Sequence, residues 1–147
     1  MSVRLATADD IPAVLAMAEA FVGESDYGMT FDPMRAVDYL ALLIGHPEAA
    51  VFIDDEHPAA MIVTVQHAWC VQPECYVEKL FVMPAARGSG VARALVAAAV
   101  EFARQHHCSH IFATATAGMG DVVGQLYTNL FAKFGFHGCG PVLCRSM

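Results

Sequence analysis

"VEKLFVMPAARGSGVARAL" (residues 77–95) is the stretch on which the fold of this chain turns. Up to Met83 it is first alternating and then continuously apolar, the pattern of a strand covered on both faces, and Pro84 ends it. From Val91 onward apolar residues recur at helical spacing, through "GVARALVAAAVEFARQHH" (residues 90–107). Between strand and helix stands Arg87-Gly88-Ser89-Gly90, and Arg87 is one of only eight Lys and Arg in 147 residues. A helix N-terminus presents unpaired backbone N–H groups and the positive end of its macrodipole. Gly88 and Gly90 remove side chains that would keep an anion off those groups, and Arg87 adds a permanently charged fork shaped for phosphate. The junction therefore reads as a seat for a phosphate or pyrophosphate; taken alone, it reads equally as a Gly-rich turn with a surface arginine.

Neighbouring motifs are excluded residue by residue. A P-loop ends in Gly-Lys-Ser/Thr, but Gly90 is followed by Val91 and Ala92. A dinucleotide fingerprint wants a small residue where Arg93 stands and an acid about 20 residues on, where Cys108 to His110 sit. Ser89 has Arg87 two residues before it, so there is no G-x-S-x-G elbow.

Working outward, "SVRLAT" (2–7) reads as a strand, and Thr7 with Asp10 makes a capping-box-like start to a helix through about Val22. "GESDYGMTFDP" (23–33) is a loop, and "MRAVDYLALLIG" (34–45) is a helix closed by Gly45. Strands "AAVFIDD" (49–55) and "PAAMIVTVQHAW" (58–69) are joined by a polar turn around Glu56 and His57, and "CYVEKLFVM" (75–83) follows. "HIFATAT" (110–116) is a further strand, and strand, crossover helix and strand in succession imply a parallel pair. "DVVGQLYTNLFAKF" (121–134) is the last long helix, stopped by Gly135, and "PVLCRSM" (141–147) is a short final strand. The expectation is one α/β domain over residues 1–147, with a mixed sheet.

Composition narrows the partners. Hydrophobic residues make up 56% of the chain, which excludes disorder, and the longest apolar stretch, "VARALVAAAVEFA" (91–103), is broken by charge and too short to span a bilayer. A formal charge of −7 argues against nucleic acid, which needs clustered cations, and suits a cationic ligand such as an amine. Five cysteines, odd in number and without CxxC pairs, together with an N-terminus lacking a secretory pattern, point to reduced thiols in a cytoplasm. His106, His107 and His110 surround Cys108, but histidines at a helix C-terminus suit the dipole, and no metal is expected there or around His137, Cys139 and Cys144.

Arg87-Gly88-Ser89-Gly90-Val91-Ala92 resembles the R/Q-x-x-G-x-G/A signature of the GNAT superfamily of N-acetyltransferases. The resemblance runs over nearly the whole chain, from the first strand to the "KFGF" that ends the last helix. It implies a central twisted mixed sheet flanked by helices, with a splayed parallel strand pair. It also implies acetyl-CoA as co-substrate: the pantetheine arm lies against the backbone amides of Leu80, Phe81 and Val82, and the pyrophosphate is seated by Arg87, Gly88, Ser89, Gly90, Val91, Ala92 and Arg93.

The same resemblance assigns chemistry. An ammonium with a pKa near 10.4 must lose a proton before it attacks a thioester, and Glu78, in a "YVEKLFV" similar to that of polyamine-type members, is placed as the base. Read by itself, Glu78 is also an exposed strand carboxylate paired with a neighbouring cation. Many members carry a Tyr four residues before the helix-ending Gly; that slot here is Phe131, which cannot donate a proton, and Tyr127 lies one turn earlier on the same face as a substitute acid or a packing residue. In the first loop, Glu24, Asp26 and Asp32 can hold an ammonium while Tyr27 and Phe31 cover it. The implied activity is acetyl transfer from acetyl-CoA to a primary amine of a small molecule or peptide by direct attack in a ternary complex. The alternative is a non-catalytic acyl-CoA sensor of the same fold, and an exposed edge near the C-terminal strand suits a homodimer.

Overall fold

The apolar segments that read as consecutive strands do lie side by side. The structure, a computed structural model that describes residues 2–25, 27–114 and 120–140, has one five-stranded sheet of β1 (Val3–Leu5), β2 (Ala49–Asp54), β3 (Ala59–Gln66), β4 (Glu74–Val82) and β5 (His110–Ala113), in that order. Pairing is antiparallel from β1 to β4 and parallel between β4 and β5. The helices are α1 (Ile11–Glu24), α2 (Pro33–Leu43), α3 (Val91–Gln105) and α4 (Gly120–Ala132). The proposed final strand, residues 141–147, and the end of "HIFATAT" beyond Thr114 lie outside the described residues.

β3 is apolar without alternation because both of its faces are covered. Met61 and Val63 pack with Leu95, Val96 and Phe131 on the side of α3 and α4, whereas Ala60 and Ile62 pack with Val14, Phe21 and Leu40 on the side of α1 and α2. Leu95 is wholly buried in the first of these cores, so truncating it to alanine costs about 2–5 kcal/mol. No helix among the described residues is long and apolar enough to cross a membrane.

The local signals mostly act where they were read. Thr7 donates its amide to Asp10 Oδ2 at 2.7 Å and its hydroxyl to the same oxygen at 3.0 Å, which caps a short 3-10 turn that feeds α1. Arg4 grips the same carboxylate at 2.8 and 3.0 Å, and with the Thr7 bonds holds it well below the usual carboxylate range. Boundaries differ in places: β3 ends at Gln66, three residues short of Trp69, and α1 runs on through Gly23 to Glu24, so Glu24 belongs to a helix end and not to the loop. Nothing near Gly23 forces a left-handed backbone, and the helix stops at Ser25 instead.

Two features of β4 position the site. Its register against β3 shifts so that Ile62 faces Lys79 while Val63 faces Val77, which leaves Glu78 as the extra residue of a β-bulge. Its parallel pairing with β5 runs only from Glu74–His110 to Val77–Ala113. From Glu78 to Val82 the β5 side of β4 has no strand partner among the described residues. Burial follows: Leu80, Phe81 and Val82 are buried as expected, but Tyr76, Val77 and Glu78 are half-exposed, since they border open space.

Candidate active site

The turn from β4 into α3 is built on two left-handed glycines, Gly88 at φ +85° and Gly90 at φ +92°, a conformation that L side chains adopt only with strain. Gly90 is the N-cap of α3. The Ser89 hydroxyl donates to Ala86 O at 2.7 Å and accepts from Val91 N at 3.2 Å, so the Val91 amide is already partnered. Ser89 N bonds Ala86 O, and Arg93 N closes onto Gly90 O at 3.0 Å. That leaves the amides of Gly88, Gly90 and Ala92 with no hydrogen bond among the described residues, three donors at the positive end of a 15-residue helix. Arg93 is exposed and has no ion-pair partner among those residues.

Arg87 does not face an empty seat. Its Nε donates to Val82 O at 3.1 Å, and a terminal nitrogen pairs with Glu24 Oε2 at 2.6 Å. The two side chains engage each other across the end of α1. Glu24 is engaged by an arginine 63 residues away instead of standing free to hold an ammonium, and Arg87 is drawn toward the end of α1.

Where β4 and β5 part, a cavity of about 560 Å³ opens. Glu78 and Leu80 line it from β4, Phe112 and Thr114 from the end of β5, Tyr127 and Phe131 from α4, and Phe21 and Tyr27 from α1 and the loop after it. The structure thus brings together four of the expected residues, Glu78, Leu80, Tyr127 and Tyr27, and does not bring Phe31 or Asp32 to the cavity wall. Asp32 instead caps α2, accepting from Met34 N and Arg35 N at 3.1 Å each. Asp26 lies outside the described residues.

Glu78 is fixed by a residue the sequence reading passed over. Thr64 Oγ1 donates to Glu78 Oε1 at 2.7 Å, which turns one carboxylate oxygen toward β3 and leaves the other for a ligand. The available signal was a single polar side chain inside the apolar run "AAMIVTV" (59–65). Tyr76 and Phe112, also unremarked, sit opposite each other on the last rung but one of the parallel pair and stack with centroids 5.2 Å apart.

Burial pushes the Tyr127 phenol above its ordinary range; the nearby Arg87 charge opposes the shift and Glu24 adds to it. Tyr127 therefore keeps its proton at neutral pH. Phe131 is 5% exposed and tilts against Phe136 at 5.0 Å, so the ring in the usual tyrosine slot serves the core as well as the cavity wall. His106 bonds the carbonyls of Phe102 and Pro47 at 2.9 and 2.8 Å, the helix-capping role expected for it.

Residues 16–136 match the model of the Acetyltransferase (GNAT) family. The chain belongs to the GNAT acetyltransferase family. Solved structures agree with that fold. An aminoglycoside 6'-N-acetyltransferase of Acinetobacter haemolyticus superposes with a TM-score of 0.74 at 18% identity, over 100% of this chain and 98% of its own. Aminoglycoside N-acetyltransferase AAC(6')-Iy, solved with CoA, gives 0.77 at 14% identity, over 99% and 93%. A protein of Bacillus halodurans described as a transcriptional regulator gives 0.77 at 18% identity, over 99% of each chain. At such identities the likeness carries the fold alone. No curated protein matches the chain in sequence. In this GNAT chain the Gly-rich turn stands at the N-terminus of α3, and the cavity opens at the split between β4 and β5.

Proposed function

We propose that the protein is an acetyl-CoA-dependent N-acetyltransferase that acetylates a primary amine of a small molecule or peptide by direct attack in a ternary complex. The observation that carries this reading is the bulged Glu78, held by Thr64 at the wall of a cavity that also contains Tyr127, next to the open edge of β4. Three amides at Gly88, Gly90 and Ala92, unpartnered among the described residues, fit a pyrophosphate, with Arg87 and Arg93 as its cationic partners.

Acetyl-CoA supplies an acyl thioester, and the acceptor supplies a nitrogen that must first lose a proton. Glu78 takes that proton through its free oxygen, directly or by one water. Backbone amides along the open edge of β4, among Leu80, Phe81 and Val82, receive the pantetheine arm and stabilise negative charge on the reacting carbonyl oxygen. Tyr127, kept protonated by burial, hands a proton to the departing sulfur. Most of the rate comes from holding nitrogen and thioester in line.

A second reading, a non-turning acyl-CoA sensor, draws on the phenyl ring of Phe131 in the usual acid slot. Two variants separate them. Titration calorimetry should give saturable acetyl-CoA binding that Gly90→Glu abolishes by placing a carboxylate in the seat. Glu78→Gln should then lower amine-dependent turnover by about 10²–10⁴-fold with acetyl-CoA affinity unchanged. A wild-type protein that binds acetyl-CoA and acetylates no amine supports the sensor.

A further inference from the structure

The cavity wall is aromatic where a polycation would need acids. Six rings, Phe21, Tyr27, Tyr76, Phe112, Tyr127 and Phe131, line it, against one carboxylate among the described lining residues, Glu78. Of the acids close by, Glu24 pairs with Arg87 and Glu74 accepts the Tyr76 hydroxyl at 2.8 Å. Among the described lining residues a polyamine or an aminoglycoside would bring several ammonium groups against the single carboxylate of Glu78, and each unpaired ammonium would lose its hydration without compensation.

The rings are also held in position. Tyr76 and Phe112 are register partners on β4 and β5 and stack at 5.2 Å with their planes 26° apart. The Tyr76 hydroxyl donates to Glu74 at 2.8 Å, which fixes the ring. Glu78 follows Tyr76 by two residues on the same strand, at most about 6.6 Å along β4 because the bulge at Glu78 shortens the regular rise, and both line the cavity. An amine two carbons from an aryl ring spans that separation, with the ring on the Tyr76–Phe112 pair and the nitrogen at Glu78.

We propose that the acceptor is a monoamine with an aromatic body, of the arylalkylamine class, stacked on Tyr76 and Phe112. This rests on the acetyltransferase reading above. The test begins with acetyl-CoA calorimetry and then measures kcat/KM, from release of the CoA thiol, for 2-phenylethylamine, its saturated isostere 2-cyclohexylethylamine, spermidine and kanamycin. The expected result is a kcat/KM for 2-phenylethylamine at least about tenfold above spermidine and kanamycin, and three- to tenfold above the cyclohexyl amine, the range for a good aromatic pair. Phe112→Leu keeps apolar volume but removes the ring, so within the variant the ratio of kcat/KM for the phenyl amine over the cyclohexyl amine should fall toward one. A higher kcat/KM for spermidine or kanamycin overturns the proposal, as does loaded protein that neither binds nor acetylates 2-phenylethylamine at millimolar concentration; both leave acetyl-CoA binding intact. A protein that fails to bind acetyl-CoA overturns the acetyltransferase reading and this inference with it.

Discussion

Glu24→Gln should tighten acetyl-CoA binding, although the residue lies on a different element from the signature loop. In the structure the Arg87 guanidinium pairs with Glu24 Oε2 at 2.6 Å, and a pyrophosphate at the α3 N-terminus must draw Arg87 away from that carboxylate. The cost of leaving is the worth of the pair. Side chains that are 41% and 33% exposed place it with ordinary surface ion pairs, about 0.2–1 kcal/mol, which is about 1.4- to 5-fold in dissociation constant. Glutamine keeps the size and one acceptor but removes the charge, so the variant should gain most of that factor. The gain should shrink between low salt and 0.5 M salt as screening weakens the pair. Calorimetry on wild type, Glu24→Gln, Arg87→Gln and the double variant closes a thermodynamic cycle: Arg87→Gln should weaken binding, and Glu24→Gln should add much less in that background. Unchanged or weaker binding by Glu24→Gln, with wild type binding normally, would refute the idea that Arg87 changes partners.

Thr64→Val should lower kcat by about tenfold, with acetyl-CoA affinity unchanged, since it frees Glu78 to turn; Thr64→Ser restores the hydroxyl and should restore the rate. Tyr127→Phe should lower kcat and remove any alkaline limb. In wild type that limb should lie above the ordinary tyrosine value of about 10, because burial disfavours the phenolate and the acid form persists as pH rises; a wild-type limb below 9 counts against Tyr127. Asp10→Asn should lower the Tm at pH 7. The Asp10 carboxyl is held below its unfolded value of about 3.9, so its stabilisation is present above that pH and is lost as pH falls below it. The Tm gap between wild type and variant should therefore narrow from about pH 4 downward, and a gap that is constant with pH would dismiss the Arg4–Asp10 pairing as its source.

Sequence periodicity located α3, the strands before it and the loop between them because each is a local matter. Residue spacing decides which face is apolar, Pro84 removes a donor, and Gly88 and Gly90 permit the left-handed turn whatever lies nearby. The Thr7–Asp10 cap was legible for the same reason, since it closes within three residues. The family resemblance pointed to Glu78 and Tyr127, and the fold places both on one cavity.

What escaped the sequence depends on pairings between distant segments. The bulge that makes Glu78 the odd residue exists only in the register of β4 against β3, and Thr64 becomes its partner only through that register. The Tyr76–Phe112 stack needs β5 to lie parallel beside β4, and the split that opens the cavity is where that pairing ends. Glu24 looked like a loop carboxylate because nothing in its neighbourhood announces an arginine 63 residues on. The sequence by itself determined the backbone conformations and the type of each element, since these follow from nearest neighbours. Only the tertiary structure decided which charges cancel, which oxygen is held and which rings meet, because those energies arise between groups that the chain brings together by folding.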